Sequence, residues 1–162
     1  MIILGIDPGL ASTGFGAILC DGKAPSIIKC GYIKTFTDNT VASRLFQIHN
    51  DMEQLINTIK PGLVAIENVF SLVRYPKAGI LLGGVLGALY VTIQRHGIGM
   101  TEISTKEVKN ALVGFGSANK DQVKTAVKKL LGVDDIKSFH AADALAVALT
   151  AYYRNKIGSK KA

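Results

Sequence analysis

The sequence predicts one α/β domain in which a mixed five-stranded sheet is flanked by helices. Its 162 residues match the length of a single domain that can bury a substantial core. Hydrophobic residues make up 48% of the chain and charged residues 19%, a globular composition that excludes extended disorder. Three extended segments come first, and helical and extended patterns then alternate. The predicted order is therefore β-β-β-α-β-α-β-α-α-α.

The first 37 residues predict three consecutive strands. Residues 2–7 are apolar and end in the turn-forming sequence Asp7-Pro8-Gly9, and residues 13–20 form the second strand. Asp21-Gly22 is a hairpin signal, and residues 26–36 supply the third strand. Because the connections are short, the three strands are predicted to pair antiparallel.

The rest of the chain predicts helices that alternate with strands and then follow one another. The first helix has apolar residues at helical spacing and stops at Lys60-Pro61-Gly62, and a capping box, Ser104 to Glu107, opens a later one. The predicted helices are residues 40–59, 78–95, 104–113, 120–131 and 138–153, and the predicted strands are residues 63–67 and 97–103. The basic C-terminal tail, residues 155–162, is expected to fray.

Residues 78–93 form an uncharged run of 16 residues, which is shorter than the roughly 20 residues that cross a bilayer. Gly79, Gly83 and Gly87 recur at every fourth position and would allow another backbone to approach closely. The run therefore predicts a buried helix or a helix at a subunit interface, with no membrane association.

The charge balance favours a polyanionic partner. Lysine and arginine number 19 against 12 acidic residues, and the net charge of +7 suits nucleic acid, although a merely soluble basic protein has the same balance. Cys20 and Cys30 match neither a zinc pattern nor a disulfide framework, which favours reduced core thiols. No basic segment precedes the first apolar run, so no signal peptide is predicted and the expected location is the cytoplasm.

Three acids occupy positions that predict a metal site. Asp7 and Glu67 each end an apolar strand, where an unpaired charge would cost several kcal/mol. His140 and Asp143 are three residues apart on the last helix, so both project from one side of it. If the first and fourth strands are neighbours, these side chains could hold two Mg²⁺ or Mn²⁺ ions for displacement at phosphorus.

Each of these residues also has an ordinary structural interpretation. Asp7 precedes Pro-Gly and could simply form a turn, and Glu67 could pair with a surface lysine. His140 could be a residue of the first helical turn without a role, and Asp143 a solvated side chain. Taken together with the basic charge, the four residues favour the metal site.

The N-terminal loop supports a further alternative. Asp7-Pro8-Gly9 followed by Ser12-Thr13-Gly14 resembles the first phosphate loop of the actin-like and sugar-kinase ATPases. Those proteins close two such domains over a nucleotide, and 162 residues cannot supply both. No Gly-x-x-x-x-Gly-Lys-Ser/Thr sequence is present, so a P-loop is excluded.

Four motifs together resemble the RuvC family of bacterial Holliday junction resolvases, in the family's order and over about residues 1–154. They are Gly5-Ile6-Asp7-Pro8-Gly9, Ile66-Glu67-Asn68-Val69-Phe70, Val113-Gly114-Phe115-Gly116-Ser117-Ala118-Asn119-Lys120 and Ala141-Ala142-Asp143-Ala144-Leu145-Ala146. The resemblance implies one RNase H-like nuclease domain over residues 1–154. It also implies a homodimer that cuts four-way junction DNA with Mg²⁺, and a branch-migration motor as partner.

The resemblance also assigns the catalytic positions. Asp7, Glu67, His140 and Asp143 take the family's four metal-binding catalytic positions. Position 140 is aspartate in many members, so His140 is either a metal ligand or a general base. The family's usual Glu-Gln-Val-Phe reads Glu-Asn-Val-Phe here, which leaves Glu67 intact.

The expected DNA-binding residues lie beside these motifs. Phe70 matches the aromatic residue that stacks on bases at the junction centre, and Lys109 and Lys120 match lysines that contact DNA. Arg74 and Lys77 are added because they lie in the basic stretch that follows Phe70. Core packing for Phe70 and ordinary surface charge for the others are the structural alternatives. A nuclease with another nucleic-acid target and a non-catalytic junction-binding protein remain the alternative functions.

Overall fold

A mixed sheet forms the centre of the computed structural model, which describes residues 1–68 and 76–158. The strands are β1 (Ile2–Asp7), β2 (Ser12–Leu19), β3 (Ser26–Lys34), β4 (Leu63–Asn68) and β5 (Gly99–Ser104). Their spatial order is β3-β2-β1-β4-β5, with β1, β2 and β3 antiparallel and β1, β4 and β5 parallel. The predicted fold class, a mixed five-stranded sheet flanked by helices, is confirmed.

Helices cover both faces of this sheet. They are α1 (Val41–Ile59), α2 (Pro76–Arg95), α3 (Thr105–Val113), α4 (Lys120–Leu131) and α5 (Phe139–Gly158). One apolar cluster joins α3, α4 and α5 to the sheet, and a second joins α1 and α2 to the opposite face. Two helices are longer than predicted, since α2 begins at Pro76 and α5 continues to Gly158.

Small residues bring α5 into direct contact with the sheet. Ala141, Ala144 and Ala148 on α5 are buried. A Cβ atom at Gly5 of β1 would overlap the carbonyl oxygen of Ala144, and one at Gly14 of β2 would overlap that of His140. The backbone of the first turns of α5 therefore packs directly against the backbone of β1 and β2.

Helix α2 is 20 residues long, longer than the 16-residue run on which the sequence prediction rested. Among the described residues, it is the one helix long and apolar enough to cross a membrane on length and composition alone. Core helices of soluble proteins also meet that test. The buried residues of α2 are Val85, Leu89, Thr92 and Ile93. Of these, Val85, Leu89 and Ile93 belong to the apolar cluster shared with α1 and the sheet.

Candidate active site

The parallel pairing of β1 with β4 places two acids side by side. Ile6 lies opposite Ile66 in this pair, so Asp7 and Glu67 occupy the next position on each strand. Both strands end at the same edge of the sheet, as the sequence predicted for neighbouring strands. The two carboxyl groups are close enough for each to shift the pKa of the other.

Helix α5 adds the other two predicted residues to this edge. Nδ1 of His140 lies 3.2 Å from Oδ2 of Asp7. Oδ2 of Asp143 lies 3.3 Å from Nζ of Lys120, at the start of α4. The structure thus gathers all four predicted catalytic residues at one end of the sheet. Three secondary-structure elements supply them, and a lysine from a fourth joins them.

A cavity of about 150 Å³ opens where these elements meet. Asp7, Glu67 and Asp143 line it together with Lys109 and Lys120. The rest of the wall is Thr105 and the apolar residues Val108, Val123, Ala146 and Val147. His140 is not among the lining residues and has a half-exposed side chain beside Asp7. Carboxylates and lysines therefore share one small, partly apolar space.

Burial makes ionisation of the two strand-end acids unfavourable. It raises the pKa of Glu67 to about 7. The hydrogen bond from Thr105 lowers this pKa, whereas the negative charges of Asp7 and Asp143 raise it further. Burial also raises the pKa of Asp7, opposed by its contact with His140. The pKa of Lys120 is raised chiefly by the charge of Asp143. Positive charge entering the cavity would offset the cost of ionising these acids, so the site favours a cation.

The donor set fits a hard divalent cation, because carboxylate oxygens from three elements reach one cavity. Among residues 1–68 and 76–158, however, no three His, Cys, Asp or Glu side chains already form a coordination site. Each acid has its own partner instead: His140 for Asp7, Thr105 for Glu67 and Lys120 for Asp143.

The predicted DNA-binding residues fall into three groups. Lys109 and Lys120 line the cavity, so their side chains lie next to the acids. Lys77 is exposed in the first turn of α2 and does not line the cavity. Phe70 and Arg74 lie outside the described residues, and their roles stay predictions.

Sequence reasoning missed one polar contact of the site. Thr105 donates a hydrogen bond of 2.7 Å from its hydroxyl to Oε1 of Glu67. In the sequence, Thr105 lies within the capping box that Ser104 and Glu107 open, and the structure confirms that Ser104 caps α3. The contact with Glu67 spans 38 positions, so no local pattern could have identified it.

Internal hydrogen bonds of buried side chains hold the N-terminal loop that follows Asp7. Thr13 is buried, and its hydroxyl donates a hydrogen bond of 2.8 Å to the carbonyl oxygen of Gly9. Thr35 donates from its own hydroxyl to the carbonyl oxygen of Leu10 and accepts from Nε of the buried Arg44. These bonds hold the loop after Asp7 in place from within the protein.

This sheet order, with acids from β1, β4 and α5 at one edge, is that of the RNase H-like nucleases. A structure of RuvC from Thermus thermophilus superimposes with a TM-score of 0.90 at 30% identity, covering 98% of this chain and 97% of that one. The yeast mitochondrial Holliday junction resolvase shares the fold, with a TM-score of 0.64 at 14% identity, covering 97% of this chain and 83% of that one. The class defined by fold and site is therefore an RNase H-like nuclease.

Sequence comparison narrows the class to a family. Residues 3–151 match the family described as crossover junction endodeoxyribonuclease RuvC. The RuvC of Chlorobium phaeobacteroides is 37% identical over all of this chain and 86% of its own length, and that of Prochlorococcus marinus is 38% identical over 97% and 99%. The chain belongs to the RuvC family.

Proposed function

We propose that this protein is a structure-selective DNA endonuclease that resolves four-way (Holliday) junctions by paired, symmetric nicks. The observation that carries the proposal is the cavity in which Asp7, Glu67 and Asp143 meet Lys109 and Lys120. Acids can bind the cations that phosphodiester cleavage uses, and the lysines attract the phosphate. Family membership supports the junction as substrate, and Thermus thermophilus RuvC, 28% identical with a TM-score of 0.89, has been solved in complex with a Holliday junction substrate.

Asp7, Glu67 and Asp143 would hold the metal, proposed as two Mg²⁺ ions for which Mn²⁺ can substitute. His140 completes the set, as a fourth ligand or as a proton acceptor. When bound, the ions supply an activated water for attack on the phosphodiester and offset the charge of the leaving 3′ oxygen, giving 5′-phosphate and 3′-hydroxyl ends.

The protein's own groups prepare this site in two ways. Burial raises the pKa values of Asp7 and Glu67, and a cation in the cavity would lower them and so favour the ionised forms that bind it. Lys120 is well exposed beyond its contact with Asp143, so it can exchange the carboxylate for a DNA phosphate. Lys109 lines the same cavity. Phe70, Arg74 and Lys77 are further DNA contacts in this proposal, on the basis of the sequence alone.

The assembly that fits this activity is a homodimer. A four-way junction has approximate two-fold symmetry, so a two-fold dimer can present one active site to each of two opposed strands. The exposed face of α2 supports its proposed place at the interface: Ile80 is 76% exposed, and an added Cβ at Gly83 or Gly87 would meet open space. A cytoplasmic location and a branch-migration motor as partner complete the proposal.

The test compares a labelled four-way junction with a linear duplex of the same sequence, in Mg²⁺ and in Mn²⁺. The wild-type protein should place paired nicks in opposed strands of the junction and leave the duplex intact. Asp7→Asn should bind the junction but cleave it at least about 100-fold more slowly, because a carboxylate ligand is lost. Binding without cleavage by the wild type in either metal would reduce the protein to a junction-binding module.

A further inference from the structure

An exposed aromatic and basic surface lies beside the active site, outside the cavity that Lys109 and Lys120 line. Every second residue at the end of β3 and just after it is exposed: Tyr32, Lys34 and Phe36. We call these three residues the β3 stripe. Tyr32 is 48% exposed and Phe36 is 57% exposed. Nζ of Lys34 lies 5.3 Å from the centre of the Phe36 ring, so these two side chains share one side of the strand.

The register of the sheet connects this surface to the catalytic edge. Asp7 lies opposite Gly14, and Gly14 lies opposite Tyr32, so the three residues form one row across β1, β2 and β3. Gly14 has no side chain, and the first turn of α5 lies directly over it. The His140 ring therefore lies between the Asp7 carboxylate, 3.2 Å from Nδ1, and the Tyr32 ring, whose centre is 6.1 Å away.

Hydrogen bonds hold the stripe against the loop that follows Asp7. Thr35, between Lys34 and Phe36, is buried and donates its backbone N–H to the carbonyl oxygen of Ala11 at 3.0 Å. Its hydroxyl binds the carbonyl oxygen of Leu10. The stripe is thus fixed to the catalytic end of the sheet and presents its side chains outward.

We propose that the β3 stripe is a DNA-binding surface for the nucleotides on one side of the scissile phosphate. The inference rests on the proposed function. A strand cut at Asp7 must leave the cavity in two directions, and Lys109 and Lys120 line the cavity itself. The strand β3 lies two strand spacings from β1, about 10 Å, which is about three nucleotides of duplex rise.

The chemistry of the stripe suits this occupant. Lys34 can contact a phosphate, and exposed aromatic rings stack on bases or pack on sugars without sequence preference. The segment from Tyr32 to Phe36 contains no acidic residue, so nothing within it would repel a polyanion.

The experiment measures affinity for the junction in an Asp7→Asn background and cleavage rates in the wild-type background, for Lys34→Ala and Phe36→Ala. Each should weaken junction binding about five- to tenfold, with kcat within about twofold of wild type. Lys34→Ala should also lower the slope of log affinity against log salt by about 0.9. Tyr32→Phe keeps the ring and should bind within about twofold, whereas Tyr32→Ala should match Phe36→Ala.

Two matched controls separate the stripe from general surface effects. Lys23→Ala removes an exposed lysine from the turn before β3, and Phe46→Ala removes an aromatic ring that is 66% exposed on α1. Both should bind and cleave the junction as wild type does.

Trimmed junctions make the test directional. One substrate keeps only two nucleotides of the cut strand on the 5′ side of the scissile phosphate, and a second keeps only two on the 3′ side. The binding defect of the stripe variants should disappear with one of these two substrates and persist with the other. Equal losses with both trimmed substrates, or variants that behave as wild type, would overturn the inference and leave the stripe for a protein partner. If the wild type cleaves no junction at all, the proposed function itself fails, which is a different outcome.

Discussion

Glu67 shows how a single buried residue can favour function over stability. Its carboxyl group lies at a strand end inside the cavity, and burial raises its pKa to about 7 from 4.5. Above that pH the folded protein must carry this charge beside Asp7 and Asp143, whereas the unfolded chain carries it in water. The residue that we expect to bind metal therefore destabilises the metal-free fold.

Replacing Glu67 by glutamine should reveal this cost. The folded state holds the Glu67 proton up to about pH 7, whereas the unfolded state releases it near pH 4.5, so stability is lost as the pH rises through that window. Without divalent cations, Glu67→Gln should raise the free energy of unfolding at pH 8 by roughly 1–3 kcal/mol and change it little at pH 4.5. Thermal melts at the two pH values measure the difference.

Asp38→Asn is the control, because Asp38 is exposed in the loop after β3 and away from the cavity. It should show no such dependence on pH. An equal gain for Glu67→Gln at both pH values would mean that the effect is not electrostatic. In either case Glu67→Gln should lose junction cleavage, since an expected metal ligand is gone.

At the scale of elements, the contact between α5 and the sheet sets the geometry of the site. His140 and Asp143 reach Asp7 and the cavity because glycines on β1 and β2 let the helix backbone lie on the strands. The sequence allowed part of this to be predicted, since the spacing of His140 and Asp143 put both side chains on one side of the last helix. The role of Gly14 could not be predicted, because it depends on a contact with a residue 126 positions later in the chain.

Gly14→Ala tests this contact. The added Cβ would overlap the carbonyl oxygen of His140, and neither backbone can yield without moving the first turn of α5. We expect a loss of stability of about 1–3 kcal/mol and a fall in junction cleavage of at least about 100-fold, because a displacement of 1 Å can cost that much. Melting temperature and single-turnover cleavage measure the two effects.

Gly99→Ala is the matched control, since the atom nearest its added Cβ is Cδ1 of Leu63 at an ordinary 3.9 Å. It should fold and cleave nearly as wild type. Full activity in Gly14→Ala would show that α5 can shift without disturbing the acids.

The sequence predicted the ends of the elements unevenly, and the reasons are local. Lys60 takes a left-handed conformation with φ of 51° and closes α1, as the Lys60-Pro61-Gly62 stop indicated. Pro76 begins α2 because proline is well suited to the first helical position, whereas the prediction relied on the apolar run alone. Thr105 and Tyr32 escaped notice because their partners, Glu67 and His140, are distant in sequence.

At the scale of the whole molecule, one copy of the chain provides one set of acids. The cavity draws on β1, β4, α3, α4 and α5 of the same chain, so each copy carries a whole candidate site. Paired cleavage of a symmetric junction therefore requires two copies held in a fixed relation. Helix α2 lies on the opposite side of the sheet from α3, α4 and α5. We expect the exposed face of α2 to join the two copies.

Ile80→Glu tests whether that face holds two copies together. Ile80 is 76% exposed and Val91 is 60% exposed on α2, so a charge at position 80 would cost little in a monomer but would be buried in a dimer. We expect Ile80→Glu to sediment as a monomer at concentrations at which the wild type sediments as a dimer. The substitution should not unfold the monomer, so the variant should still show a cooperative thermal melt. Phe46→Glu places the same charge on an exposed site of α1 and should leave the dimer intact.

The pattern of nicks then distinguishes loss of dimerisation from loss of the cleavage reaction itself. A monomer keeps its own Asp7, Glu67 and Asp143, so Ile80→Glu should still nick a junction strand, but slowly and without coupling to the opposed strand. A supercoiled plasmid carrying an extruded cruciform measures this directly: coupled cuts give linear DNA, and independent cuts accumulate nicked circles first. Linear product formed without a nicked intermediate by a monomeric Ile80→Glu would mean that the two cuts are coordinated by the junction and not by a dimer built on α2.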